Sequence, residues 1–260
     1  MTNAHVISFR SLRVLVLAGA AAVLLSACAT NRASTSIDMP DYSGLSQAQT
    51  QEAVVQLGAR YKANPRDTNA AIHFAAALRA AGQPVQAVAV MEQAMAVDGN
   101  TATVRIAYAK ALAANGQFEQ ALNVVDGTLD PTRPDWNALS VKGAILDQMG
   151  QNEEARALYR QAQVTAPHEA SLEANLGLSF AMTNDLAQAE THLRRAVSMP
   201  SATSQIRQNL ALIVGLQGRF DEARALYARE LPPDQVENNM NYIRALITQQ
   251  NRWQVIEGAN

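Results

Sequence analysis

Arg207-Gln208-Asn209-Leu210-Ala211-Leu212-Ile213-Val214-Gly215-Leu216-Gln217-Gly218-Arg219-Phe220 is one unit of a pattern that runs through most of this 260-residue chain. Its Gly218-Arg219 turn has counterparts at Gly82-Gln83, Gly116-Gln117, Gly150-Gln151 and Asn184-Asp185, each 34 residues from the next. Five residues after each turn stands alanine: Ala87, Ala121, Ala155, Ala189 and Ala223. Seven residues before each stands another small residue: Ala75, Ala109, Gly143, Gly177 and Ala211. Small residues on both sides of a turn allow two antiparallel helices to approach closely. Large apolar residues recur beside them, with Leu78, Leu112, Leu146, Phe180 and Val214 before the turns and Met91, Val125, Tyr159, Leu193 and Tyr227 after them. Burying each is worth roughly 1.5–3 kcal/mol, enough to hold successive units together. Gly or Asn at the turn suits a helix that ends in the left-handed conformation.

Thirty-four residues is the period of the tetratricopeptide (TPR) family, which this frame resembles. The resemblance implies an all-α fold, a right-handed TPR α-solenoid in which each repeat is a helix A, a turn and a helix B. On that frame the repeats run 68–101, 102–135, 136–169, 170–203 and 204–237. A half repeat at 47–67 supplies a lone B helix from Gln47 to Lys62, with Ala53 and Leu57 in phase. A closing helix at 238–253 carries Tyr242, Ile243, Leu246 and Ile247 on its apolar face, before a tail at 254–260. A solenoid needs such terminal helices, with one polar side, for solubility. Pro65 and Pro167 occupy the family's proline position at the end of helix B, whereas Gly99, Arg133, Ser201 and Gln235 stand there in the other repeats. The angles between repeats are left open by those departures.

The first 27 residues follow another pattern: Arg10 and Arg13, an apolar run from Val14 to Leu25, then Ser26 and Ala27 before Cys28. This is the order of a secretory signal peptide. The run would rise only about 18 Å as a helix, short of a roughly 30 Å bilayer core. Leu25-Ser26-Ala27-Cys28 resembles a bacterial lipobox, and that resemblance implies cleavage before Cys28 and acylation of its sulfur and new amino group. An ordinary signal peptide with an incidental cysteine is the alternative. Ala29 stands where an Asp would imply retention at the inner membrane, so the resemblance points to the outer membrane, facing the periplasm. From Cys28 to Ser46 the chain is rich in Ser, Thr, Asn and Asp, with Pro40 and Gly44, as expected of a tether. Its reach would be roughly 20–25 Å.

The whole chain is 48% apolar and 17% charged, an ordered composition. Removing Arg10 and Arg13 leaves 19 basic against 23 acidic residues, a net of −4 and no basic footprint for nucleic acid. A lone cysteine forms neither an internal disulfide nor a thiolate metal cluster. His73, His168 and His192 fall at three different repeat positions, with no metal-ligand spacing. Every glycine has a turn, a close helix contact or the tether to explain it, and none builds a phosphate loop. Glu153-Glu154 and Asp221-Glu222 open B helices, where the helix dipole favours them. Phe74, Tyr108, Tyr159, Phe180 and Tyr227 sit at TPR core positions. The expectation is a binding protein without catalytic residues, metal or cofactor.

A TPR array exposes a groove lined mainly by its A helices, which typically receives a peptide. The family pattern assigns to that groove Asn69, His73, Arg79, Lys110, Asn137, Asp147, Asn175, Gln205, Gln208 and Asn209. Asn175 and Asn209 match an asparagine that many TPRs place before Leu-Gly or Leu-Ala, where its amide either bonds a ligand's backbone or only solvates the groove. The Lys and Arg set that clamps a C-terminal carboxylate in chaperone-binding TPRs is mostly missing. The 207–220 stretch, Leu231-Pro232-Pro233 and Asn241-Tyr242-Ile243-Arg244 resemble the TadD lipoproteins of the tight-adherence (Flp) pilus apparatus. That resemblance implies a pilotin-like assembly factor whose partners are an outer-membrane secretin or other pilus and secretion components. A general envelope adaptor, scaffolding peptidoglycan enzymes or outer-membrane assembly, is the alternative.

Overall fold

The computed structural model describes residues 42, 45–130 and 132–258. The signal peptide, Cys28 and nearly all of the tether lie outside the described residues. Within them the chain forms twelve α-helices and no strand. Helix α1 (Gln47–Ala63) stands alone, and five pairs follow: α2 (Thr68–Ala80) with α3 (Pro84–Asp98), α4 (Ala102–Ala114) with α5 (Phe118–Asp126), and α6 (Trp136–Gln148) with α7 (Asn152–Thr165). The last two pairs are α8 (Ala170–Met182) with α9 (Leu186–Val197), and α10 (Ser204–Leu216) with α11 (Phe220–Tyr227); α12 (Pro233–Gly258) closes the array. The A helices are therefore α2, α4, α6, α8 and α10.

Every A helix ends in the same way. At Gly82, Gly116, Gly150, Asn184 and Gly218 φ lies between 64° and 84°. The next residue's N–H returns to a carbonyl five residues back, as in Gln83 to Leu78 at 2.8 Å and Gln151 to Leu146 at 2.9 Å. That Schellman arrangement satisfies helix-end carbonyls and reverses the chain into helix B. Asn184 is the one non-glycine residue of the set, using the side chain that best tolerates this conformation after glycine.

The small residues seven before each turn mark the closest helix contacts. A Cβ on Gly177 would lie 2.9 Å from the backbone oxygen of Ala189 and 2.9 Å from Leu193 Cγ, and one on Gly143 would lie 2.6 Å from the Tyr159 ring. Each A helix packs on its own B helix and on the preceding one, and neighbouring A helices also touch along the array. The A helices thus form an inner layer and the B helices an outer one. The apolar core has two main bodies, one from Tyr42 to Ile145 and one from Ala170 to Ile243. Smaller clusters join them, one around Leu146, Tyr159 and Leu176 and another around Leu139, Ala162 and Leu172.

Departures from the frame fall where proline and glycine intervene. Helix α5 is only nine residues long and stops before Gly127. Arg105 secures that loop, donating from Nη1 to the Gly127 carbonyl at 2.8 Å and from Nε to the Gly99 carbonyl at 2.6 Å. Arg207, three repeats later at the same position, donates to the Ala202 carbonyl at 3.0 Å and to Glu230 at 2.6 Å. Helix α11 has eight residues, and the closing helix starts at Pro233 rather than 238. Proline at the first helical position loses no hydrogen bond and arrives with a helical φ. That helix continues to Gly258, through most of the segment expected as a tail.

Candidate functional site

The inner layer is where the A helices bring their polar side chains together. Asn69 is exposed in the first turn of α2, and His73 and Arg79 are half-buried further along it. On α4, half-buried Lys110 donates to Asn137 Oδ1 on α6 at 3.3 Å. From α8, Asn175 Nδ2 donates to Ser140 Oγ on α6 at 3.0 Å. Gln205 Nε2 donates to Asn209 Oδ1 at 2.9 Å, and Gln208 Nε2 to Ser204 Oγ at 3.1 Å, both within α10. Hydrogen bonds thus link α4 to α6 and α6 to α8 across the inner layer. The amides sit deep: Asn175 is 6% exposed, Gln205 5% and Asn209 2%.

Asp147, which the family pattern also assigns to the groove, is buried like these amides and lies at the meeting of α6, α7 and α8. Its carboxylate accepts from Tyr159 Oη at 2.9 Å, Ser179 Oγ at 2.7 Å and Asn152 Nδ2 at 2.7 Å. Burial raises its pKa from 3.8 to about 6, against the opposing pull of those hydrogen bonds and of Arg156. Arg156 is itself buried; its Nη1 reaches the Ser179 carbonyl at 3.1 Å, its Nη2 reaches Glu153 at 2.5 Å, and its guanidinium lies 4.6 Å from the centre of the Phe180 ring. Phe180 stacks on His192 at 5.3 Å, and His192 Nδ1 lies 2.7 Å from Glu173. This network fills the seam between the two apolar bodies of the core, fixing repeat 3 against repeat 4. Its role is structural, because a polar group in the stack needs partners there.

Sequence reasoning missed Ser140, Arg156 and Ser179, although a signal for Ser179 was present. Ala77, Ala111, Ile145 and Ile213 occupy its position in the other repeats, so the serine is the one polar residue in an apolar column. Among the described residues no three His, Cys, Asp or Glu side chains gather as a metal-ligand set, and no helix is long and apolar enough to cross a membrane. What the inner face offers is hydrogen-bonding amides and hydroxyls along a row of parallel helices, a surface for another chain's backbone and side chains.

Models of the tetratricopeptide repeat match residues 78–145, 137–164, and 170–195 with 209–229, together just over half of the chain. An uncharacterized protein of Sinorhizobium fredii, y4yS, is 39% identical over 105 residues, which is 40% of this chain. The match spans 57% of that relative's length. Among solved structures, a TPR protein of Parabacteroides merdae superposes with a TM-score of 0.63 at 11% identity, over 76% of this chain and 79% of its own. A thermophilic TPR protein of Thermus thermophilus gives 0.57 at 21% identity, over 78% of this chain and all of its own. PilW, described as a widely conserved type IV pilus biogenesis factor, gives 0.51 at 18% identity, over 70% of this chain and 84% of its own. At these identities the three structures establish a shared fold. The chain belongs to the tetratricopeptide repeat family and is a protein–protein interaction scaffold.

Proposed function

We propose that this scaffold is a lipoprotein held at the outer membrane through Cys28, where it acts as a pilotin-like factor in assembly of a tight-adherence pilus. The observation that carries the reading is the union, in one chain, of Leu25-Ser26-Ala27-Cys28 with a TPR array. Two or three acyl chains at about 0.8 kcal/mol per buried methylene make a stable anchor. The tether then keeps the array within a few nanometres of the membrane, where a secretin ring assembles.

Two further observations support the pilus assignment. The 207–220 stretch, with Leu231-Pro232-Pro233 and Asn241-Tyr242-Ile243-Arg244, resembles the TadD lipoproteins. PilW, a pilus biogenesis factor, is built on the same fold. The partner is a protein segment, with an outer-membrane secretin or another pilus component as the candidate.

Deletion of the gene tests this reading. Loss of surface pili and of adherence, with an intact permeability barrier, is the expected result. General sensitivity to detergents and large antibiotics, with piliation preserved, would overturn it in favour of an envelope adaptor for peptidoglycan enzymes or outer-membrane assembly.

A further inference from the structure

The outermost residues of α1 and α3 depart from those of the other helices in the outer layer. Val85 is 68% exposed, yet Glu119, Glu153, Ala187 and Asp221 stand at its position in the later repeats. Ala89 and Ala96 continue its stripe along α3, both exposed, while Ala87, Val88, Val90, Met91 and Ala94 face the core. Helix α3 is thus apolar on both sides, the pattern of a helix that is covered all round. Its one charge between Pro84 and Val97 is Glu92, drawn toward the next repeat by a hydrogen bond from Tyr108.

Helix α1 runs beside it in the same direction: Gln83 Nε2 donates to Gln51 Oε1 at 3.3 Å, and Tyr61 Oη donates to Gln93 Oε1, both across an offset of 32 residues. The side of α1 away from its buried Thr50, Val54, Gly58 and Tyr61 reads Glu52, Val55, Ala59 and Lys62, at spacings of three, four and three. All four are exposed, Val55 by 64%. Neither charge belongs to an ion pair among the described residues; Glu52 accepts from Gln56 at 3.0 Å.

An acid, two apolar residues and a base in that order match themselves when the stripe meets an antiparallel copy. Glu52 then faces Lys62 of a second copy, and Val55 faces Ala59. The midpoint of the stripe, at Leu57, lies level with Ala89 through the offset of 32, so a single two-fold axis crosses both helices and sets Ala89 against Ala89. A small residue at that crossing lets the helices approach closely. The two stripes hold no Trp, Phe or Leu to enter a bilayer.

We propose that the outer face of α1 and α3 is a self-association surface that joins two copies of this chain about a two-fold axis. Two helix widths of about 10 Å over a length of about 20 Å give roughly 400 Å² per copy. The total of about 800 Å² lies at the weak, transient end of specific interfaces. The inner faces of both arrays stay open in such a dimer, so the scaffold is bivalent. Two linked grooves hold a repeated partner more tightly than one. The surface does not depend on the pilus assignment, and its test leaves that assignment untouched.

The test cross-links the full-length protein in cells with a short bismaleimide. Ala89→Cys should give a homodimer band on a denaturing gel, identified by mass spectrometry, at least fivefold stronger than wild type or Val164→Cys, whose position on α7 is 82% exposed. Added to Ala89→Cys, Glu52→Lys should cut the band at least fivefold, and Glu52→Lys/Lys62→Glu should restore it. Both charges are exposed, so neither change unfolds the array. Equal bands from Ala89→Cys and Val164→Cys would overturn the proposal, as would a cross-link from Ala89→Cys to a different protein in place of itself. So would a band unchanged by Glu52→Lys, or a double reversal that fails to restore it.

Discussion

Replacing Asp147 by Asn should change the way stability depends on pH. The carboxyl group titrates at about 6 in the folded chain against 3.8 ordinarily, because it is buried among Tyr159, Ser179 and Asn152. The folded state therefore holds this proton more tightly than the unfolded state does. Between about pH 4 and 6 the folded chain carries more protons, so stability falls as pH rises through that window. Above it the full penalty is present; the shift of roughly two units corresponds to about 3 kcal/mol. Asparagine cannot ionise and so lacks this dependence. Its Oδ1 still accepts from Asn152 or Ser179, and the Tyr159 hydroxyl can rotate to accept from Nδ2. The expectation is that the variant gains on the wild type by about 3 kcal/mol between pH 4 and pH 8, at about 2–4 °C in midpoint per kcal/mol for a domain of this size. Glu190, held down to about 2 by Arg219 despite partial burial and with help from Arg194, has the opposite slope, its contribution being lost only as the pH falls toward 2. It is present in both proteins and cancels. Thermal melts followed by circular dichroism at four pH values suffice. A difference between the two midpoints that stays constant from pH 4 to pH 8 would refute the reasoning.

Gly177→Leu should cost about 1–3 kcal/mol or more by overpacking, because even its Cβ meets the Ala189 backbone oxygen at 2.9 Å, and an unchanged melting midpoint would contradict the helix contact. Cys28→Ser should move the protein from the membrane fraction to the soluble fraction on fractionation, and retention in the membrane would remove the basis for the anchor.

The repeat frame was legible because its signals are local. A turn needing φ near +70°, a small residue seven before it and an alanine five after it recur at one spacing, and each has its own steric reason. Element boundaries were less legible where prolines compete. The 34-residue frame put a boundary at 237, but Pro233 starts the closing helix on its own terms. Site residues were legible only by repeat position, which fixes the face of a helix and not its neighbours. Asp147 shares its position with Arg79, yet Asp147 is locked among Tyr159, Asn152 and Ser179 while Arg79 is half-buried. The hydrogen bond from Asn175 likewise depends on Ser140, a residue of a different helix that matters only once the A helices are laid side by side.

The most direct test of the central claim is affinity capture of the full-length protein from solubilised envelopes, comparing wild type with Asn175→Ala/Asn209→Ala and identifying partners by mass spectrometry. The account predicts recovery of an outer-membrane secretin or another pilus component, reduced at least tenfold by the double substitution. Recovery of cell-wall enzymes, or of a partner held equally by both proteins, would contradict it.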